Sequence, residues 1–102
     1  MEGLELVSFQ IISSAGGARS KYIEAIQEAK QGNFEAADAA IKEGQEMFQN
    51  AHKAHASLIQ EEAGGKSVNI TLLLMHAEDQ LMACDSFLVI ANEFIDVYKN
   101  IK

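Results

Sequence analysis

His76 is the residue whose neighbours point most directly to chemistry. It lies in the run Leu72-Leu73-Leu74-Met75-His76-Ala77-Glu78-Asp79-Gln80-Leu81-Met82. If that run is helical, the 3.6-residue repeat sets Asp79 and Gln80 one turn beyond His76 on its face and turns Glu78 to another side. An acceptor or an amide at that spacing fixes the orientation and tautomer of an imidazole, as a nucleophile requires. The competing reading is a buried, hydrogen-bonded core histidine. Asp79 raises a second question, because a carboxylate in the middle of a strongly apolar helix is costly unless it is paired or bound to a cation. Copies of Asp79 converging on a symmetry axis would share protons or bind a hard divalent cation such as Mg2+ through oxygen. Otherwise Asp79 faces solvent or makes a single ion pair.

Other candidates have less behind them. His52 and His55 stand three apart, a spacing that can hold a metal, but no carboxylate falls in the adjacent turns of their face. They read as core or surface histidines. Cys84 falls on an apolar stripe and reads as a small core residue. As the only cysteine, it makes no intrachain disulfide and fits a reducing compartment. The sequence has no Glu-x-x-His pair, no phosphate-cradling glycine loop and no Gly-x-Ser-x-Gly elbow. That disfavours a di-iron bundle, a nucleotide-using enzyme and a serine hydrolase of the elbow type.

Eight basic against fifteen acidic side chains give a net charge of −7, which repels nucleic acid and draws in basic protein surfaces. The start, Met1-Glu2-Gly3-Leu4-Glu5, is acidic where a signal peptide is basic. The most apolar segment, residues 72–91, is interrupted by His76, Glu78, Asp79, Gln80 and Asp85, so it reads as a packed helix rather than a membrane span. A cytoplasmic location is expected.

The elements that must position His76 follow from the same sequence. Its 102 residues are about one domain, expected to span 1–102, and proline is absent. The first helix is expected over about 3–30, with Leu4, Val7, Ile11, Ala15, Ala18, Tyr22, Ile26 and Ala29 recurring at helical steps. Gly16-Gly17 within it predicts a kink or a close approach. Gln31-Gly32-Asn33 ends it, with Gly32 past the helix end and Asn33 suited to cap the next helix. That helix, about 34–63, presents Phe34, Ala37, Ile41, Gly44, Phe48, Ala51, His55 and Leu58 on one face and stops at Gly64-Gly65. Asn69 or Thr71 can cap a third helix, about 70–101.

The third helix carries two apolar stripes. Leu74, Ala77, Leu81, Cys84, Leu88, Ala91, Ile95 and Tyr98 form the first, and Leu73, His76, Gln80, Ala83, Phe87, Ile90, Phe94, Val97 and Ile101 the second. A three-helix hairpin buries about one face of each helix, so the second stripe calls for another partner. The fold expected is all-α, three long antiparallel helices in an up-down-up bundle, self-associating through the third.

The run Met75 to Met82 closely resembles the active-site helix of the enzyme IIA component of the lactose/cellobiose (N,N′-diacetylchitobiose) branch of the bacterial sugar phosphotransferase system. Ala15-Gly16-Gly17-Ala18-Arg19-Ser20 followed by Glu24-Ala25, Gly32-Asn33-Phe34-Glu35-Ala36-Ala37, and Ala51-His52 through Leu58-Ile59-Gln60-Glu61-Glu62-Ala63-Gly64-Gly65 agree with the family in order. The resemblance implies a homotrimer whose His76 takes phosphate from the carrier protein HPr and passes it to a cysteine of the IIB component, during uptake of a β-linked disaccharide through the membrane transporter IIC. It implies a phosphotransferase component rather than a stand-alone kinase, with no cofactor for the chemistry. Asp79 matches the family aspartate at the threefold axis, where a divalent cation such as Mg2+ can sit. Gln80 and Arg19 are candidate supports for the phosphate or the ring. Glu78 and Gln80 stand where many members have Gln and His, which looks closer to the cellobiose-type members, and no role is carried onto His55.

Two rival readings belong to other classes. One is a regulatory or structural helical trimer that has lost phosphorylation. The other is a two-component histidine phosphotransfer domain, which usually wants Lys and Gly where Asp79 and Gln80 stand.

Overall fold

The computed structural model describes residues 3–101; Met1, Glu2 and Lys102, the ends of the expected domain, lie outside the described residues. Three α-helices follow one another, α1 (Gly3–Lys30), α2 (Phe34–Ala63) and α3 (Leu72–Asn100).

Glycine sets both turns where φ must be positive. Gly32 takes φ +84° and Gly65 takes φ +94°, conformations that favour a residue without a Cβ. Asn33 precedes α2 but makes no side-chain cap; its Nδ2 donates instead to Glu28 Oε1 at 3.0 Å, tying the turn back onto α1. Thr71 does cap α3, its side chain accepting from the Leu74 amide at 3.0 Å. Because Thr71 is itself extended, α3 begins at Leu72 rather than near residue 70, and the extended Ile101 ends it at Asn100.

The expected faces are the packed ones. Ile11, Ala15, Ala18 and Tyr22 of α1 meet Ala37, Ile41, Phe48 and Ala51 of α2, and Leu74, Ala77, Leu81, Cys84, Ala91 and Ile95 bring α3 onto the same core. Many of these residues are alanine, which lets the helix backbones approach closely. At Gly44 the approach is close, since a Cβ there would lie 2.5 Å from the Tyr22 ring. The Gly16-Gly17 pair does not break α1, which runs through it; Gly17 instead accommodates the methyl end of Met47, while Gly16 faces open space.

The three helices do not share contacts equally. α1 packs along both α2 and α3, whereas α2 and α3 meet at few points. The result is a narrow rod of 55 × 22 × 20 Å. Along the side of α3 away from α1, Leu72, Met75, Met82, Val89, Ile90, Phe94, Val97 and Ile101 are exposed, a broader apolar face than the second stripe alone. Among the described residues, no helix is long and apolar enough to cross a membrane.

Candidate functional site

Ala77 and Leu81 anchor the middle of α3 in the core, with 0% and 5% of their surfaces exposed. That anchoring rotates the residues around them to defined sides. His76 is exposed, so the core-histidine reading does not hold. Asp79 is exposed as well, one turn on, between the exposed methionines Met75 and Met82. Within one protomer its carboxylate is solvated, and the burial cost expected for it does not arise.

Gln80 is half-buried on the side of α3 that faces α1. Its Oε1 accepts a hydrogen bond from Arg19 Nη1 at 3.3 Å, across 61 positions of sequence. His76, Gln80 and Arg19 therefore line up on one flank of the bundle. Arg19 is the sole arginine of the chain. The nearby lysine Lys21 is engaged with Glu24 at 3.6 Å and Glu43 at 3.4 Å, which hold its ammonium pKa above the usual value, the Glu43 contact foremost. Arg19 makes no ion pair among the described residues.

On the opposite flank of α3, Glu78 meets His55 of α2, with His55 Nε2 at 2.8 Å from Oε1 and 2.7 Å from Oε2. Spacing along α2 does not reveal this pair, because the carboxylate that meets His55 comes from another helix. The available signal was that His55 lies on the packing face of α2 and Glu78 beside the buried Ala77. The pair borders a cleft of about 370 Å³, whose apolar lining includes Leu58, Val68, Ile70, Leu74 and Met75. His52 is exposed and sets its ring edge-on to Phe48, with centroids 4.8 Å apart.

Two other expectations can be placed. Among the described residues no three His, Cys, Asp or Glu side chains stand together as a metal-holding group, around Asp79 or elsewhere. Cys84 is buried as expected. Burial, helped by Asp85 and opposed by Arg19, pushes its thiol up to about 11, which keeps it protonated and unreactive at neutral pH.

What remains chemically competent is an exposed imidazole with an amide one turn away, the amide in turn bonded to a guanidinium. An accessible imidazole can accept a group from a macromolecular donor, and the amide and guanidinium suit an anionic one.

Comparison with known proteins is consistent across the chain. Residues 6–99 match the family model described as PTS system, Lactose/Cellobiose specific IIA subunit. The oligo-beta-mannoside-specific EIIA component of Bacillus subtilis is 40% identical over 95 residues, covering 93% of this chain and 86% of that protein. The crystal structure of the cellobiose-specific enzyme IIA from Bacillus anthracis superposes with a TM-score of 0.94 at 43% identity, covering 97% of this chain and 91% of that one. The IIA(chitobiose) chain solved in complex with HPr from Escherichia coli gives 0.82 at 32% identity, covering 97% and 96%.

Proposed function

From the premise that the chain belongs to the lactose/cellobiose-specific IIA family of the sugar phosphotransferase system, we propose that His76 is its phosphoryl acceptor. As a IIA protein it is a phosphotransferase component serving sugars of the lactose/cellobiose type. In the finer reading, a neutral ring nitrogen of His76 attacks the phosphorus of phospho-HPr. A new P–N bond forms as the donor P–N bond breaks, and the HPr imidazole leaves neutral. A thiolate of the IIB component then attacks the same phosphorus, forming a P–S bond and returning His76 to neutral imidazole. The proteins supply alignment and charge stabilisation, which is most of what phosphoryl transfer needs.

The observation that carries this reading is the exposure of His76 on a helix whose flanking residues are anchored in the core. A carrier must meet two partners in turn, and a buried imidazole meets neither. The structural relative bound to HPr supports HPr as the donor. The net charge of −7 suits partners with basic contact surfaces. Gln80, backed by Arg19, shares the His76 flank of the bundle and is the group placed to support the ring or the phosphoryl oxygens. The site of action is cytoplasmic, where HPr and the inner face of the transporter meet.

The exposed apolar face of α3 supports self-association as a homotrimer. In such an assembly copies of Asp79 would approach one another, and their oxygens could hold a divalent cation such as Mg2+.

Incubation with phosphoenolpyruvate, enzyme I and HPr tests the carrier role. The wild-type chain takes up acid-labile phosphate, His76→Ala takes up none, and addition of the cognate IIB component discharges it. Lack of uptake by the wild type from a demonstrably active HPr would overturn the assignment.

A further inference from the structure

Arginine carries only hydrogen-bond donors, so its contact with a glutamine side chain determines which end of the amide faces which way. Arg19 Nη1 lies 3.3 Å from Gln80 Oε1. The carbonyl end of Gln80 is therefore turned toward α1, and its NH2 is turned away from the guanidinium. Gln80 sits four residues after His76 on the same face of α3, where its free donors are one helical turn from the imidazole.

Left alone, a half-buried glutamine amide can present either end. The carbonyl end would oppose a phosphoryl oxygen, while the NH2 end donates to it or to an unprotonated ring nitrogen. The choice thus matters at a site that must hold an anion in a chain with seven excess negative charges.

The mount for Arg19 is firm. Ala18 before it and Tyr22 one turn later are both 0% exposed, and Tyr22 packs against Gly44 so closely that α2 leaves no space for a Cβ. The guanidinium also opposes the upward shift of the Cys84 thiol, which extends its reach along α3 one turn beyond Gln80.

We propose that Arg19 is a positioning residue for phosphoryl transfer: by holding the Gln80 carbonyl oxygen against α1, it presents the Gln80 NH2 to His76 as a fixed donor. This rests on the reading of His76 as the phosphoryl acceptor, and it assigns Arg19 an action through Gln80 rather than on the phosphate itself.

A double-mutant cycle of Arg19→Ala and Gln80→Ala decides it, with transfer from phospho-HPr and the half-life of phospho-His76 as readouts. Each single change slows transfer about tenfold, and the double mutant is no slower than either one, because both remove the same donor. Arg19→Lys, which keeps one donor and the charge, recovers part of the rate. In the unphosphorylated protein, the Gln80 side-chain NH2 resonances of the wild type are dispersed and collapse toward free-amide values in Arg19→Ala, with helicity unchanged.

An Arg19→Ala effect of full size in the Gln80→Ala background would overturn the proposal, placing the guanidinium on the phosphate directly. Unchanged Gln80 amide signals in Arg19→Ala would also overturn it. The amide measurement needs no phosphate, so a failure of the carrier reading appears as absent uptake by the wild type and is distinguishable from a failure of Arg19 to orient Gln80.

Discussion

An imidazole that is loaded by one protein and emptied by another must stay reachable while its surroundings stay fixed. His76 meets both demands because its neighbours Ala77 and Leu81, not its own ring, enter the core. The same division explains what was legible at this scale. The His76, Asp79 and Gln80 face could be read from spacing alone, since all three lie on one helix. Arg19 with Gln80 and His55 with Glu78 depend on the register between helices, which no spacing within a helix encodes.

Cys84 yields a prediction of its own. Its thiol ordinarily titrates at 9.0 and is held up to about 11 in the fold. Between those values the unfolded chain has lost a proton that the folded chain retains, so rising pH favours unfolding. Stability should fall by about 1.4 kcal/mol per pH unit over that window on account of this group. Tyr22, raised from 10.0 to about 12 chiefly by burial, continues the trend at higher pH. Urea denaturation from pH 8 to 11 should show a shallower decline in Cys84→Ala than in the wild type. Parallel curves would mean that the thiol ionises alike in both states.

At the scale of the elements, the approach of α1 to α2 depends on small residues at particular places. An alanine at position 44 would set its Cβ 2.5 and 2.8 Å from ring atoms of Tyr22 and 3.1 Å from the Ala18 carbonyl oxygen. With a buried ring and a backbone oxygen both in the way, the overpacking cost of Gly44→Ala should lie at the upper end of about 1–3 kcal/mol and exceed a helix-propensity gain of about 1 kcal/mol, for a net loss of about 1–2 kcal/mol. Gly16→Ala meets nothing within 4 Å and should stabilise by about 0.5–1 kcal/mol. Equilibrium denaturation of the two variants tests both signs.

Helix bodies were legible because proline is absent and the apolar positions recur at helical steps without interruption. Their ends were less so. Asn33 has the chemistry of a cap but bonds back to Glu28, and Thr71 rather than Asn69 caps α3. Such choices are settled by which partner the folded turn brings within reach. Gly16-Gly17 carried the same ambiguity: a kink and a close approach have one signature in sequence, and only the position of Met47 separates them.

For the whole molecule, the exposed apolar residues of α3 form the surface that most needs a partner. Sedimentation equilibrium should return three times the protomer mass. Phe94→Glu combined with Val97→Glu should raise the dissociation constant by at least tenfold. If Asp79 copies hold a divalent ion, EDTA should weaken the wild-type trimer and leave Asp79→Leu unaffected. A wild type indifferent to EDTA and tightened by Asp79→Leu would mean unpaired charge at the axis instead.

The unequal sharing of contacts among the helices also sets how the molecule comes apart. α1 and α2 form a sequence-adjacent pair joined by a three-residue turn, and α3 leans on that pair through α1 alone for most of its length. Loss of α3 leaves the α1–α2 hairpin with its own interface intact, whereas loss of α1 leaves only the sparse α2–α3 contacts, the His55–Glu78 pair among them. The cheapest local opening is therefore release of α3, the helix that carries His76. If neighbouring copies cover its outer face, the rigidity of the phosphorylatable helix becomes a function of how much protein is present.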